Sequence, residues 1–269
     1  MEWVIVLLLL AALALLTVLF APACYRKKHP LVKKLQGVPF AHRGLHDEKT
    51  PENSLAAIKR AVNEGYGIEF DLHLTLDGQL AVMHDDSLVR TCGVDLKVCE
   101  CPLAELTRHP LSNGEPLPTL PLVLEAVKGR VPLLIELKHD GSNADALVAA
   151  TVKVLEGYEG DYILESFDPR ILLALKKQAP QMARGQLSCN FMKMKGQPLY
   201  LRIPLYLMIL NLFTRPDFIA YRLEDEKSLP LRIAKRVGVP LFFWTVKDQT
   251  SAKTALERGH GVIFEGFTF

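Results

Sequence analysis

The feature that most constrains this chain is an alternation of two periods. Eight short apolar runs, at residues 38–42, 68–72, 133–137, 161–166, 185–188, 218–221, 241–246 and 262–265, read as strands. Amphipathic stretches of helical period lie between them at 54–64, 120–128, 144–155, 169–178, 227–237 and 250–258. Strands separated by helices of this length pair in parallel, because antiparallel neighbours need only tight turns between them. Eight such runs predict an α/β fold, a closed (β/α)8 TIM barrel over residues 38–269, with an open doubly wound sheet as the alternative. One strand falls outside the count. Residues 72–75 and 79–84 flank Leu76-Asp77-Gly78, and an Asp-Gly pair between alternating apolar runs signals a hairpin. Folding it brings His84 back to the level of Glu69 and Asp71. Residues 86–118 then interrupt the alternation with Pro, Cys and Gly and no long period, which predicts an irregular insertion over one end of the barrel.

The N-terminus follows a different rule. Residues 3–25 carry no charge and are rich in Leu, and about 20 apolar residues cross a bilayer core. Arg26, Lys27, Lys28, Lys33 and Lys34 follow, whereas the other side offers only Glu2. Cationic flanks stay on the cytoplasmic side. The pattern predicts a transmembrane helix over 1–25, a basic linker over 26–37, and a single-pass membrane protein with a cytoplasmic barrel. Two other readings stay open. A cleaved signal peptide has an imitation of a cleavage site in Ala21-Pro22-Ala23 but lacks a positive n-region, and Cys24 offers a lipidation site. Cys24, Cys92, Cys99, Cys101 and Cys189 are odd in number and lack a disulfide or zinc spacing, so they read as reduced thiols. A net charge of +2 without a basic, aromatic-interleaved stripe excludes a nucleic-acid partner. Residues 198–213 (PLYLRIPLYLMILNLF) are too short, and too interrupted by Pro204, to span a bilayer. A buried crossover helix is the plainer reading of them, and an apolar surface dipping into a membrane the sharper one.

Barrels of this kind carry their chemistry at the C-terminal ends of the strands. The first run ends in His42-Arg43-Gly44. The second carries Glu69 and Asp71, two apart and so on one face, and Glu136 and Lys138 repeat that spacing in the third. The hairpin returns His84-Asp85. Taken singly these have bland readings, since a Glu-x-Asp pair is commonly a solvated strand face. Together they gather charges that are costly at one rim unless paired or bound to a metal. Carboxylates without cysteine suit one hard divalent cation, Ca2+ or Mg2+, on Glu69, Asp71 and Glu136. Arg43 offers a planar fork to phosphate oxygens and Lys138 a point charge. His42 and His84, as imidazoles that can both accept and donate a proton, suit the two roles of general base and general acid.

The stretch AHRGLHDEKTPENSLAAIKRAVNEGYGIEFDLHLTLDGQLAVMHDDSL, with IELK at 135–138 and FFWTVK at 242–247, resembles the motifs of the glycerophosphodiester phosphodiesterase family. The resemblance is dense over residues 40–90 and runs in order to the C-terminus. It implies that His42 and His84 are the acid/base pair, that Arg43 binds phosphate, and that Lys138 steadies the phosphoryl oxygens. It also implies a metal on Glu69, Asp71 and Glu136, support of the rim by Glu52, and Trp244 against the substrate. The implied reaction is metal-dependent hydrolysis of a glycerophosphodiester to sn-glycerol 3-phosphate and an alcohol, in glycerophospholipid metabolism. Its implied route is attack by the neighbouring glycerol hydroxyl, giving a cyclic phosphate that water opens. Asn53 or Ser54 also suits the cap of the first helix. One departure stands out: the family often ends its last strand in Thr-Asp, whereas this chain has Ile263-Phe264-Glu265-Gly266, with Glu265 as a stand-in. Two rivals remain, a lysophospholipase D using the same site on a single-chain lipid, and a catalytically silent membrane scaffold.

Overall fold

The computed structural model describes Tyr25 and residues 29–141, 143–194 and 196–269. The expected anchor up to residue 24, including Cys24, and the cations Arg26, Lys27 and Lys28 lie outside the described residues. Among the described residues no helix is long and apolar enough to cross a membrane.

The strands are β1 (Pro39–Ala41), β2 (Gly67–Leu74), β3 (Leu80–Val82), β4 (Leu133–Leu137), β5 (Tyr162–Ser166), β6 (Arg184–Ser188), β7 (Phe218–Arg222), β8 (Leu241–Val246) and β9 (Gly261–Phe264). Their order is β1-β9-β8-β7-β6-β5-β4-β2-β3, and β1 also pairs with β2. That extra pairing closes eight parallel strands into a barrel and excludes the open sheet, because both edges of β1 are taken. The ninth strand is the expected hairpin partner. β4 holds one edge of β2 from Ile68 to Leu72. On the other edge β1 pairs only as far as Ile68, and antiparallel β3 takes over from Leu72.

Helices form where the period predicted them. Leu55–Asn63 begins after Ser54, whose Oγ accepts from the Ala57 N–H at 3.1 Å. Asp168 and Asp248 cap Pro169–Gln178 and Gln249–Glu257 in the same way. Each cap supplies an acceptor to an N–H that the first turn leaves unpaired. The outward faces of the strands bury Ile68, Ile135, Leu164 and Tyr221 against these helices.

Inside the barrel the N-terminal end is closed by aromatic packing. Phe40, Phe218 and Phe242 form a chain with ring centroids 6.1 and 5.0 Å apart. Each occupies room vacated by a glycine on a neighbouring strand. A Cβ at Gly67, Gly185 or Gly261 would stand 2.7, 2.2 or 2.0 Å from one of these rings. Within the stretch expected as a linker, Pro30–Leu35 forms a helix that adds Val32 and Leu35 to this interior cluster.

Two stretches differ from expectation. Residues 86–118 contain helical turns at Val89–Cys92, Val98–Glu100 and Leu103–Leu106 over a small core that includes Met83, Leu88, Val98, Leu106, Leu111 and Leu117. Elements of three or four residues are too short to show a period in sequence. The plainer reading of 198–213, a buried crossover helix, is overturned for its first half. Helix Leu199–Tyr206 contains no buried residue. The fully buried side chains of this stretch come after it, at Met208, Asn211 and Thr214. Cys92, Cys99, Cys101 and Cys189 are free thiols, as expected.

Candidate active site

The site begins where β1 stops. Arg43 and Gly44 take left-handed backbone conformations, with φ of 54° and 79°. A Cβ on Gly44 would lie 2.8 Å from the Ala57 carbonyl carbon, so the turn sits tight against the helix that follows. The Arg43 N–H donates to Glu69 Oε2 at 2.9 Å, which fixes His42 and Arg43 over the barrel mouth. Asn53, also left-handed, does not cap the helix. Its amide instead donates to Asp71 Oδ2 at 2.9 Å.

Strand register gathers the acids. Asp71 pairs in register with Glu136, and Glu136 with Glu165, so adjacent parallel strands carry the three side by side. Glu69 lies two residues before Asp71 on the same face. Carboxylate oxygens of Glu69, Asp71 and Glu136 all lie within 4.8 Å of one another. The hairpin brings the second histidine back: the Met83 N–H donates to the Asp71 carbonyl at 3.1 Å, placing His84 next to that level.

Charges here are unbalanced. Lys138 Nζ stands 3.0 Å from Asp71 Oδ1 and 2.7 Å from Glu136 Oε2, and Arg43 Nε lies 3.6 Å from Asp71 Oδ2. Burial alone would raise Asp71, yet Lys138, His84 and Arg43 hold it below the ordinary carboxylate range. Glu136 is pushed up to about 7 by burial, with Lys138 pulling down and the Asp71 charge adding to the rise. Burial raises Glu69 well above its ordinary value, and the Asp71 and Glu136 charges add to it. Glu165 rises for the same reasons, through burial and then Glu69 and Glu136, and its Oε2 finds no hydrogen-bond partner. Four buried carboxylates thus face two cations. Oxygen ligands this close, with surplus negative charge, fit a hard divalent cation on Glu69, Asp71 and Glu136.

Both histidines are backed by carboxylates. His42 Nδ1 is bonded to Glu265 Oε2 at 2.6 Å, and His84 Nδ1 to Asp85 Oδ1 at 2.6 Å. The bond to His42 is the largest influence holding Glu265 down at about 2. Glu265, at the end of the last strand, is thus the carboxylate that holds His42. Glu52 stands behind Arg43, accepting from its NH1 at 2.8 Å, and is itself clamped by Arg90 NH2 at 2.7 Å.

His42, Arg43, Glu69, His84, Glu136, Lys138 and Trp244 line one cavity of about 90 Å³, with Glu165 and Phe167. Asp71 lies beneath it and Glu52 behind Arg43, so all nine expected residues converge on one end of the barrel. Sequence reasoning missed Glu165, Arg90 and the role of Asn53. Glu165 had a faint signal, an acid inside an apolar run, but no partner two residues away. Arg90 lies in the insertion and reaches Glu52 only through the tertiary fold.

Comparisons with known proteins agree with this geometry. The model of the glycerophosphoryl diester phosphodiesterase family matches residues 42–265. A glycerophosphodiester phosphodiesterase of Caldanaerobacter subterraneus is 30% identical over 241 residues, covering 82% of this chain and 90% of that protein. The crystal structure of a Thermotoga maritima glycerophosphodiester phosphodiesterase superposes with a TM-score of 0.64 at 26% identity, covering 84% of this chain and 93% of that one. An Oleispira antarctica phosphodiesterase, solved with the product sn-glycerol-3-phosphate, shares the fold with a TM-score of 0.72 at 24% identity, covering 87% and 94% of the two chains. With the match spanning the barrel from its first histidine to the carboxylate behind it, this chain belongs to the glycerophosphoryl diester phosphodiesterase family.

Proposed function

We propose that this chain is a metal-dependent phosphodiesterase that hydrolyses glycerophosphodiesters to sn-glycerol 3-phosphate and an alcohol in glycerophospholipid metabolism. The observation that carries the proposal is the pair of imidazoles lining one cavity, each with Nδ1 on a carboxylate at 2.6 Å. A bond at Nδ1 to an acceptor fixes the ring and leaves Nε2 to exchange a proton with substrate. One imidazole takes the proton of the attacking hydroxyl while the other protonates the departing alkoxide. Glu265 and Asp85 orient the rings and stabilise whichever becomes imidazolium. Attack by the neighbouring glycerol hydroxyl to a cyclic phosphate, then its opening by water, would use this pair twice with roles exchanged. Arg43, braced by Glu52, and Lys138 offer their charges to the phosphoryl oxygens as negative charge builds. A hard divalent cation on Glu69, Asp71 and Glu136, Ca2+ or Mg2+, would when bound offset their charge and polarise a phosphoryl oxygen. Trp244 Nε1 is buried without a partner, so a substrate oxygen would satisfy it while its ring rests edge-on against Phe167 at 5.4 Å. The names of the relatives, and the product in the Oleispira antarctica structure, support the same reaction.

The charge asymmetry of the N-terminus supports residues 1–25 as a single-pass anchor, 26–37 as a basic approach, and a barrel domain over 38–269 on the cytoplasmic side. A second reading, lysophospholipase D activity at the membrane, is favoured by the exposed apolar start of helix Leu199–Tyr206, at Leu199, Tyr200 and Leu201. The test is turnover of glycerophosphocholine and of lysophosphatidylcholine with EDTA, Ca2+ or Mg2+. Cation-dependent release of sn-glycerol 3-phosphate from the first is expected. Faster turnover of the second would favour the alternative, and no cation-dependent turnover of either would refute both.

A further inference from the structure

Helix Leu199–Tyr206 is an anomaly for a barrel wall. A helix that covers a strand buries one face, yet no residue of this one is fully buried: residues 202–206 are half-buried, residues 199–201 are exposed, and its sequence LYLRIPLY has a single charge. Leu199, Tyr200 and Leu201 are 57%, 73% and 46% exposed, and Phe213 farther along is 56% exposed. Single exposed apolar residues are ordinary, but a run of them is not. The helix is nevertheless held in place: Arg202 Nε donates to the Phe191 carbonyl at 3.0 Å and its NH2 to that of Met192. Met192 is itself 37% exposed, so the apolar surface continues toward the C-terminal end of β6, the end that carries the site.

Two independent observations identify what covers it. The first is charge. From residue 191 to residue 216 the sequence contains no Asp or Glu, while Lys193, Lys195, Arg202 and Arg215 lie within it. Lys193 is neutralised by Asp225 at 2.6 Å, whereas Arg202 and Arg215 have no carboxylate partner among the described ion pairs. Lys176 adds a cation at the far end, with Nζ donating to the Phe213 carbonyl at 2.6 Å. The second is where the uncharged N-terminal run ends. Its last residue, Tyr25, is buried, and its hydroxyl accepts from Asn211 Nδ2 at 3.3 Å, inside the same excursion. The last residue of the uncharged run of residues 3–25 is thus packed against this excursion.

We propose that the excursion between β6 and β7 is a membrane-contact surface for anionic lipid, in which Leu199, Tyr200, Leu201 and Phe213 enter the interface while Arg202 and Arg215, with Lys176 of the adjoining helix, meet acidic headgroups. Apolar area and cations together are what bind a surface helix to a bilayer. The surface would bring the catalytic rim against lipid, which deepens the lysolipid reading of that site. Its test measures backbone exchange, so its failure is distinct from a failure of the catalytic assignment.

The full chain is reconstituted in vesicles of phosphatidylcholine alone or with about a third phosphatidylglycerol, and amide hydrogen exchange is followed by mass spectrometry. Exchange over 199–206 is expected to slow several-fold in the anionic vesicles relative to the neutral ones. The double variant Leu199→Glu, Tyr200→Glu, at exposed positions, should abolish that slowing and keep the parent melting temperature. Exchange that is equally fast in both vesicles overturns the proposal. Exchange equally slow in both overturns it too, as coverage by the chain's own first 24 residues would look like that. Protection that follows protein density in the vesicle, and not lipid charge, assigns the surface to a second copy and is equally fatal.

Discussion

The two ends of the barrel interior are built on opposite principles. At the N-terminal end, Phe40, Phe218 and Phe242 fill space left by Gly67, Gly185 and Gly261, and Val32 and Leu35 join the same cluster. At the C-terminal end, Glu69, Asp71, Glu136 and Glu165 are buried together beside Lys138 and Arg43. Close-packed apolar volume stabilises, whereas crowded carboxylates resist ionisation and weigh against the fold. The sealed end is thus the source of stability that lets the other remain charged and reactive. Mutations at the two ends should therefore separate into stability effects and rate effects.

The largest expected effect comes from the sealed end. Phe242→Ala should remove about 3–5 kcal/mol of stability while turnover per folded molecule stays near that of the parent at low temperature. Denaturant unfolding alongside active-site titration checks this, and a rate loss without a stability loss would break the division. Next comes the rim: His42→Ala or His84→Ala should each lower kcat by about 10²-fold or more with the melting temperature little changed. Steady-state kinetics on the two purified variants decide it, and near-parental rates in both would remove the histidines from the chemistry. The smallest effect sharpens the electrostatic half of the contrast. The folded-state pKa of Glu136 is raised to about 7, above an unfolded value of about 4.3. Its contribution to apo stability is therefore fully present below about pH 4.3 and lost as pH rises through about 7. A bound cation offsets that loss. The gain in melting temperature from added Ca2+ or Mg2+ should accordingly grow, by a few degrees, between about pH 5 and about pH 8. A gain that does not vary with pH would show that these carboxylates are not the cation's ligands.

Most of the fold was legible because the barrel repeats one local pattern. Each parallel strand is a short apolar run and each crossover helix has its own period, so every unit announces itself within about 30 residues. The rim was legible for a related reason. Glu69 with Asp71, and Glu136 with Lys138, keep the two-residue spacing of a strand face inside otherwise apolar runs. Glu165 lacks such a partner, and it joins the others only through register with Glu136 across β4 and β5. Arg90 was hidden in the insertion, whose helical turns are too short to leave a period. The stretch 198–213 misled for the opposite reason: its composition is that of a core helix, and composition does not say which face the barrel wall receives. Its fully buried residues, Met208, Asn211 and Thr214, come only after the helix, whose own residues are at most half-buried.

The handover on β2, from β1 at Ile68 to β3 at Leu72, has one more consequence. Three residue pairs, Leu72 with Val82, His73 with Ala81 and Leu74 with Leu80, act as a caliper that sets how far His84 stands from the acids. Slipping the hairpin by two residues would keep every side chain on its proper face and yet carry the imidazole about 7 Å away, beyond reach of any phosphate held by Arg43. Lengthening or trimming the exposed tip at Leu76-Asp77-Gly78 is thus a way to detune the enzyme by distance alone, leaving its proton-transfer groups chemically intact.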